Sequence, residues 1–463
     1  EELELLAKRE FALGGDPVFI DRVMREMHIF RRQVELGNQG RALARFHLAY
    51  RYVSNQSKTT LRPSFERYLE DIRSQSSGWF PGTVIKETSW IKLCLLALVF
   101  LQGIWVYSYL RKRRLLRLLL GILAINCVLL ALAGIFQKIS FSPNSVRPEI
   151  WGIWEAPEPR YFFASFTYKN HWCAYAVLGI GVLAGLVTYW LRRHPKDLLW
   201  RSPVPIALLG IGILAASAPL SGSVLGTLLM LTVSIPFVGY LCHKLLPKGW
   251  GWSRGLIGCL IAISLPAIGS WFVLEASPEI KRETLQKISD RWKSLQEGRL
   301  PWRYYHSKDS WTMFKDKPLW GWGLGSTAPL YPLYVSNEII AQTEKQLAYA
   351  HHNERFWGLE YSHNDWFQYL AETGAVGVAL LITGPLLALR RKRLSRSVTV
   401  WTFFACGALL LFSFVDFPSR TPACAIFFAV VLGSSLKYAA QRQIKEKRAK
   451  SSLPMCENDT LLG

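Results

Sequence analysis

No two of the eight cysteines have CxxC spacing, no glycine-rich turn is followed by the Lys-Ser/Thr of a P-loop, and neither an Asp-x-Asp pair nor a His-Glu-x-x-His stretch occurs. The first absence argues against a thiol metal site or redox pair, and the second against a phosphate cradle for nucleotides. The third leaves no strong metal motif; His351, His352 and Glu354 could form a metal cluster, but a polar loop explains them better. Acidic residues are scarce too: 33 Asp and Glu face 55 Lys and Arg, a formal charge of +22. That surplus is almost missing from runs such as "LCLLALVFLQGIWVYSYL", which no basic soluble nucleic-acid binder would carry. No signal peptide, internal repeat or low-complexity linker is visible, and residue 1 is Glu, so the chain reads as a fragment or a processed product.

What is present is apolar length. A membrane-spanning helix needs roughly 20 mostly apolar residues. About nine stretches qualify: 91–110, 115–136, 173–191, 203–220, 223–241, 255–274, 375–389, 398–415 and 421–438. Basic clusters fall on every second connection, for example Arg111–Arg114, Arg192–Arg193, and Arg390–Arg393, as the positive-inside rule requires of cytoplasmic segments. The expected fold is therefore all-α and polytopic. Residues 1–88 form an extracytoplasmic helical segment, 89–274 hold six spans, and 275–374 are a large extracytoplasmic loop with short helices. Residues 375–440 hold three more spans, and 441–463 are a basic cytoplasmic tail. Asp16-Pro17 is a good helix start, and Ile20, Val23, Met27 and Phe30 follow at helical spacing until "GNQG".

The densest polar motif is "YSHNDWFQYLAETGAVG", residues 361–377, just ahead of a span. Ser362-x-x-Asp365 has the form of a capping box, which predicts a helix starting at His363 and stopping at Gly374. A first-turn His faces free N–H groups that disfavour imidazolium and attract anions. Asn364, Gln368 and Glu372 share one helix face by their i,i+4 spacing. Upstream, "RYYHSKDSWTMFKDKPLWGWGLGS" places Arg303 in a loop before a helix that Pro318 ends, followed by a glycine-rich turn.

These two stretches together resemble the O-antigen ligase and polymerase family of bacterial envelope enzymes. The family has an Arg ahead of a helix that ends in a Pro–Gly–Gly turn, and a His-Asn followed by GxxG; here these are Arg303, His363-Asn364 and Gly374-Ala-Val-Gly377. "FTYKNHWCAY" is similar to its Asn-His-x-x-Ala-Tyr opening of a span, matching Asn170 and His171, and "SFVDFPSRTPA" to its Asp-Phe-Pro segment, matching Asp416. One feature departs. "SGSVLG" carries Val224 where the family's Ser-Arg-Gly pattern has an Arg, with Lys169, His171 or Arg160 as conceivable substitutes.

The resemblance implies transfer of a glycan from a polyprenyl diphosphate to an acceptor sugar hydroxyl at the outer face of the cytoplasmic membrane. His363 would be the general base and Arg303 the diphosphate clamp, with Asn364, Gln368, Glu372, Lys169, Asn170, His171 and Asp416 on the substrates. Asp416, if turned inward, could pair with Arg303 or Arg420; the plain alternative is a bare interfacial acid. No cofactor or metal is called for. The partners would be the lipid-linked donor, a lipid or glycan acceptor and membrane lipid, not nucleic acid; nothing in the sequence sets an oligomeric state. A polysaccharide polymerase differs only in its acceptor. A lipid-glycan flippase or transporter would place ionisable groups inside its spans, and a non-catalytic homologue would tolerate loss of His363.

Overall fold

The computed structural model describes residues 17–35, 82–83, 85–139, 149–150, 153–155, 162–276, 301–331, 334–336, 361–390 and 398–451, with single positions at 46, 49, 67, 282, 286, 289, 293, 296, 338 and 339. Arg160, His351, His352, Glu354 and the "GNQG" stretch lie outside them. The elements in order are helices α1 (Pro17–Glu35), α2 (Lys86–Tyr109) and α3 (Arg113–Ile139), then strands β1 (Glu149–Ile150) and β2 (Trp154–Glu155). Helices α4 (Lys169–Leu191), α5 (Val204–Leu220), α6 (Val224–Leu245), α7 (Ser253–Ala276), α8 (Trp302–Asp316) and α9 (Thr327–Leu330) follow. The series ends with α10 (Asp365–Arg390), α11 (Val398–Phe412) and α12 (Pro422–Ser451). The two-residue antiparallel hairpin β1–β2 and an isolated antiparallel bridge between Phe163 and Phe166 are the departures from an all-α chain among the described residues.

Six of these helices are long and apolar enough to cross a membrane: α2, α3, α4, α6, α10 and α12. Of the other three expected spans, Val204–Leu220 and Val398–Phe412 are shorter apolar helices, and the third falls on α7, Ser253–Ala276. The chain is thus a polytopic helical membrane protein, and α5 and α11 are the apolar helices below full spanning length.

The chain divides into two compact units, one built from residues 1–96, 294–384 and 414–417, the other from 97–293, 385–413 and 418–463. The second unit is a helix bundle around α4. That helix is apolar on every side and buried from Asn170 to Thr188, as a helix without a polar face must be. Its glycines set the packing distance. A Cβ on Gly181 would lie 2.3 Å from Ala405 Cβ, and one on Gly185 would lie 2.6 Å from the Val398 carbonyl oxygen on α11. Helix α3 shows the opposite division. Leu115, Leu118, Ile122, Ile125, Leu129, Leu132 and Phe136 are exposed at alternating spacings of three and four, while Leu116, Leu120, Ala124, Cys127 and Ala131 are buried. An apolar stripe left facing outward, opposite a buried apolar face, is the surface a helix presents to lipid.

In the first unit, α1 buries Ile20, Val23 and Met27 along the face their spacing predicts. The core of this unit that bears on function lies between α8, the following glycine turn and α10, where Met313, Trp322, Leu330, Tyr331 and Ala371 pack together.

Candidate functional site

Helix α8 begins at Trp302 after Pro301 and ends at Asp316, two residues ahead of Pro318, whose ring disfavours a helical residue before it. Arg303 is therefore the second residue of the helix, not a loop residue ahead of it. Its guanidinium leaves the first turn and donates from Nη1 to the Val415 carbonyl (2.9 Å) and to Asp416 Oδ2 (3.4 Å). The Asp416 side chain is fully buried, while that of Arg303 keeps 29% of its surface exposed. The pair is thus anchored at the acid and open at the base.

The His363 motif is built differently from its capping-box reading. The helix starts at Asp365, and Asn364 caps it, accepting from the Phe367 N–H at Oδ1 (3.0 Å). Ser362 makes no such cap; its hydroxyl donates to the Asn364 carbonyl (3.1 Å), and its N–H donates to Gln368 Oε1 (3.0 Å). Asn is the better cap because its oxygen sits one residue before the first turn, within reach of N3. His363 is left outside the helix with φ of 53°, a left-handed conformation that costs a non-glycine residue energy and that surroundings must enforce. The enforcement is visible. Its ring stands edge-on to Trp302 and to Phe417, with centroids 5.0 and 4.8 Å away. Its Nδ1 lies 4.0 Å from Asp416 Oδ1, and the Asp365 N–H donates to the Asp416 carbonyl (3.3 Å). One buried carboxylate therefore holds Arg303 on one oxygen and faces His363 with the other.

Gln368 and Glu372 are buried, and their polar groups serve one another. Gln368 Nε2 donates to Glu372 Oε1 (3.0 Å), which also accepts from the Thr327 hydroxyl (2.8 Å). Through Gln368 Oε1 this network grips Ser362, beside His363. Asn364, equally buried, donates from Nδ2 to Ser307 on α8 (3.4 Å).

Backbone contact joins the two motifs. Gly374 breaks α10 with φ of 65° and ψ of −175°, as the expected stop at this glycine requires. The opened ladder bonds to the turn after α8: Trp322 N–H to the Ala371 carbonyl (2.9 Å), Gly323 N–H to Glu372 (2.8 Å), Ala375 N–H to Pro318 (2.8 Å), and Val376 N–H to Leu319 (3.2 Å). A Cβ on Gly321 would lie 2.5 Å from the Glu372 carbonyl carbon, so side chains are excluded where the backbones meet.

A buried polar chain, absent from the motifs above, joins α8 to Tyr331. Tyr331 donates to Asp309 Oδ2 (2.9 Å), which also accepts from the Ser336 N–H (3.2 Å), and the Tyr331 oxygen is bonded to His306 Nδ1. Since the tyrosine proton goes to the carboxylate, His306 must be the donor to it, which fixes the Nδ1–H tautomer. The signal was present: Arg303, His306, Asp309 and Met313 recur at three and four residues, a helix face whose buried part is largely polar.

Burial, with the Arg303 charge second, holds His306 down at about 4. Burial pushes Asp309 up to about 6 against the pull of its hydrogen bonds. The two have opposite consequences. Neutral His306 contributes stability that is complete above 6.5 and is lost as pH falls through about 4. Asp309 contributes stability present below 3.8 and lost as pH rises through about 6. Wild-type stability should therefore vary little from these groups between pH 4 and 6. Asp309→Asn should unmask a melting temperature that rises with pH across that window, and His306→Asn one that falls. Thermal melts of the detergent-solubilised protein would show it, and parallel slopes in both variants would refute the assignment.

The other expected residues lie in the second unit, at the start of α4. Lys169 Nζ donates to the Gly222 carbonyl (2.7 Å) in the turn before α6. Asn170 Oδ1 accepts from Ser223, whose oxygen caps α6 through the Gly226 N–H (2.9 Å). His171 Nδ1 meets the Thr421 hydroxyl at 2.7 Å. Val224, the first residue of α6, is 57% exposed. The ammonium of Lys169 thus rests on the turn that ends in this valine.

Comparison with curated proteins finds no match for the chain. The family model described as O-Antigen ligase matches residues 174–382, a segment that includes Arg303, His363, Asn364, Gln368 and Glu372. That family assigns a glycan-transfer role to a multi-pass membrane protein, the architecture described above. The segment that carries both glycine-joined motifs is thus similar to the O-antigen ligase family over residues 174–382.

Proposed function

We propose that the protein transfers a glycan from a polyprenyl diphosphate to a sugar hydroxyl of a lipid or glycan acceptor, at the outer face of the cytoplasmic membrane. The observation that carries this reading is the convergence of Arg303 and His363 on buried Asp416. In the reaction, the acceptor oxygen attacks the anomeric carbon and the bond from that carbon to the diphosphate breaks. The departing diphosphate gathers negative charge, which the half-open guanidinium of Arg303 neutralises. His363 takes the hydroxyl proton. An acid beside Nδ1 leaves Nε2 to face the hydroxyl, and the Asp416 charge stabilises the imidazolium as it forms. Asn364, Gln368 and Glu372 serve the substrates by fixing the His363 loop.

In the second unit, Lys169, Asn170 and His171 are proposed substrate contacts, with Lys169 supplying the cation that Val224 lacks. Lys169→Met should raise the donor KM roughly tenfold, the loss of one charge-assisted hydrogen bond. Val224→Arg added to it should recover most of that loss. Failure of the arginine to rescue would remove Lys169 from this role.

The reading as a whole is tested by expressing the full-length protein in a host that lacks its own ligase and measuring transfer of polyprenyl-linked glycan. Attachment to a lipid acceptor identifies a ligase and lengthening of the glycan a polymerase. Absence of both with a range of donors refutes the proposal.

A further inference from the structure

Trp302 stands at the meeting point of the site and has no part in the reaction just described. The residue keeps 45% of its surface exposed. One neighbour is the His363 ring, at 5.0 Å and 69°; another is the His306 ring, at 4.7 Å and 81°. Both imidazoles meet it edge to face, so the indole is fixed between them while much of it stays open. His306 in turn is fixed by Tyr331, and Tyr331 by Asp309. A buried chain of three polar side chains is costly to bury and rigid once every member is bonded. An indole that only met lipid headgroups would need no such support, because a headgroup anchor works at many orientations.

We propose that Trp302 is the stacking platform for the acceptor sugar, and that the His306–Tyr331–Asp309 chain holds it in place. The chemistry is that of a pyranose ring. One face of such a ring is a patch of C–H bonds, weakly positive and apolar, which suits the negative face of an indole. The hydroxyls project from the rim. A ring lying on Trp302 would bring its rim to His363, one ring contact away, as the proton transfer requires. The donor sugar, tied to the diphosphate, belongs with Arg303. The platform would therefore set acceptor affinity and leave donor affinity alone. This inference rests on His363 being the base only in assigning the platform to the acceptor.

The test needs no turnover. Methyl β-glucopyranoside and methyl β-galactopyranoside are offered to the full-length protein in detergent, and saturation-transfer NMR reads which ring protons touch it. The wild type should saturate the protons of one pyranose face. Trp302→Leu should weaken that signal roughly tenfold, in line with the loss of one aromatic stack. Trp302→Phe, which keeps a π-face, should retain most of it, and Tyr331→Phe should reduce it with no side chain removed from the surface. In the transfer assay, Trp302→Leu should raise the acceptor KM with the donor KM unchanged. An undiminished signal in Trp302→Leu would overturn the platform and leave Trp302 as a headgroup anchor; a wild-type signal in Tyr331→Phe would overturn the holding role. If His363→Ala still transfers glycan, the assignment of the base fails, while the binding result stands by itself.

Discussion

His363→Ala should lower kcat for glycan transfer by about 10²–10⁴, the range a positioned general base supplies. The protein should still fold, because this ring is one of several that fill the pocket beside Phe417 and Trp302. Arg303→Ala should cost about 10²–10³, as expected when one preorganised donor to a developing charge is removed. Arg303→Lys should recover only part of this. A lysine keeps the charge but cannot reach the Val415 carbonyl and Asp416 in the planar geometry of a guanidinium while also facing a diphosphate. Asp416→Asn should impair both steps without touching substrate, since the neutral amide neither holds the guanidinium nor stabilises the imidazolium. Because the three residues act as a unit, the losses in double variants should be far from additive. The measurement is steady-state transfer, with the amount of folded protein checked for each variant. Transfer at wild-type rate in both His363→Ala and Arg303→Ala would remove these roles.

Gly374→Ala should be the most damaging single-methyl change in the described part of the first unit. A Cβ there would stand 2.1 Å from the Leu319 carbonyl oxygen, and the backbone at φ of 65° and ψ of −175° belongs to a region open essentially to glycine alone. Relief requires either helix α10 or the turn after α8 to withdraw, and the four backbone hydrogen bonds between them would go with it. The expected loss is about 4 kcal/mol or more, in the exceptional range for point variants. Gly384→Ala, on the same helix with nothing within 4 Å of its Cβ, should leave stability and transfer unchanged. Thermal unfolding in detergent separates the two. Equal melting temperatures for Gly374→Ala and the wild type would show that the glycine contact does not hold the site together.

Much of the molecule was legible in the sequence. Apolar runs of spanning length report themselves, because burial in lipid demands composition rather than precise contacts, and nine helices stand where nine runs were read. One length was less legible: Val398–Phe412 stops short of the run read at 398–415. The break at Gly374 and the end of α8 near Pro318 followed from backbone chemistry at single residues. The capping of α10 did not. Ser362 and Asn364 both have side chains that cap helices, and the choice fell to Asn364 because Gln368 and Asp416 hold the backbone on either side of His363.

The sequence by itself determined a basic, polytopic helical chain with Arg303 and His363 in two separate polar motifs, because helix periodicity, span length and turn residues are local properties. Only the tertiary structure decided that Asp416, more than 50 residues from His363 and more than 100 from Arg303, joins them, and that Glu372 meets Thr327. It also decided that His306, Tyr331 and Asp309 form one hydrogen-bonded chain. These are pairings of buried polar groups across sequence distance. A buried donor or acceptor must find a partner, but which partner it finds depends on how the backbones pack, and here that rests on the contact between the glycine turn after α8 and the break at Gly374.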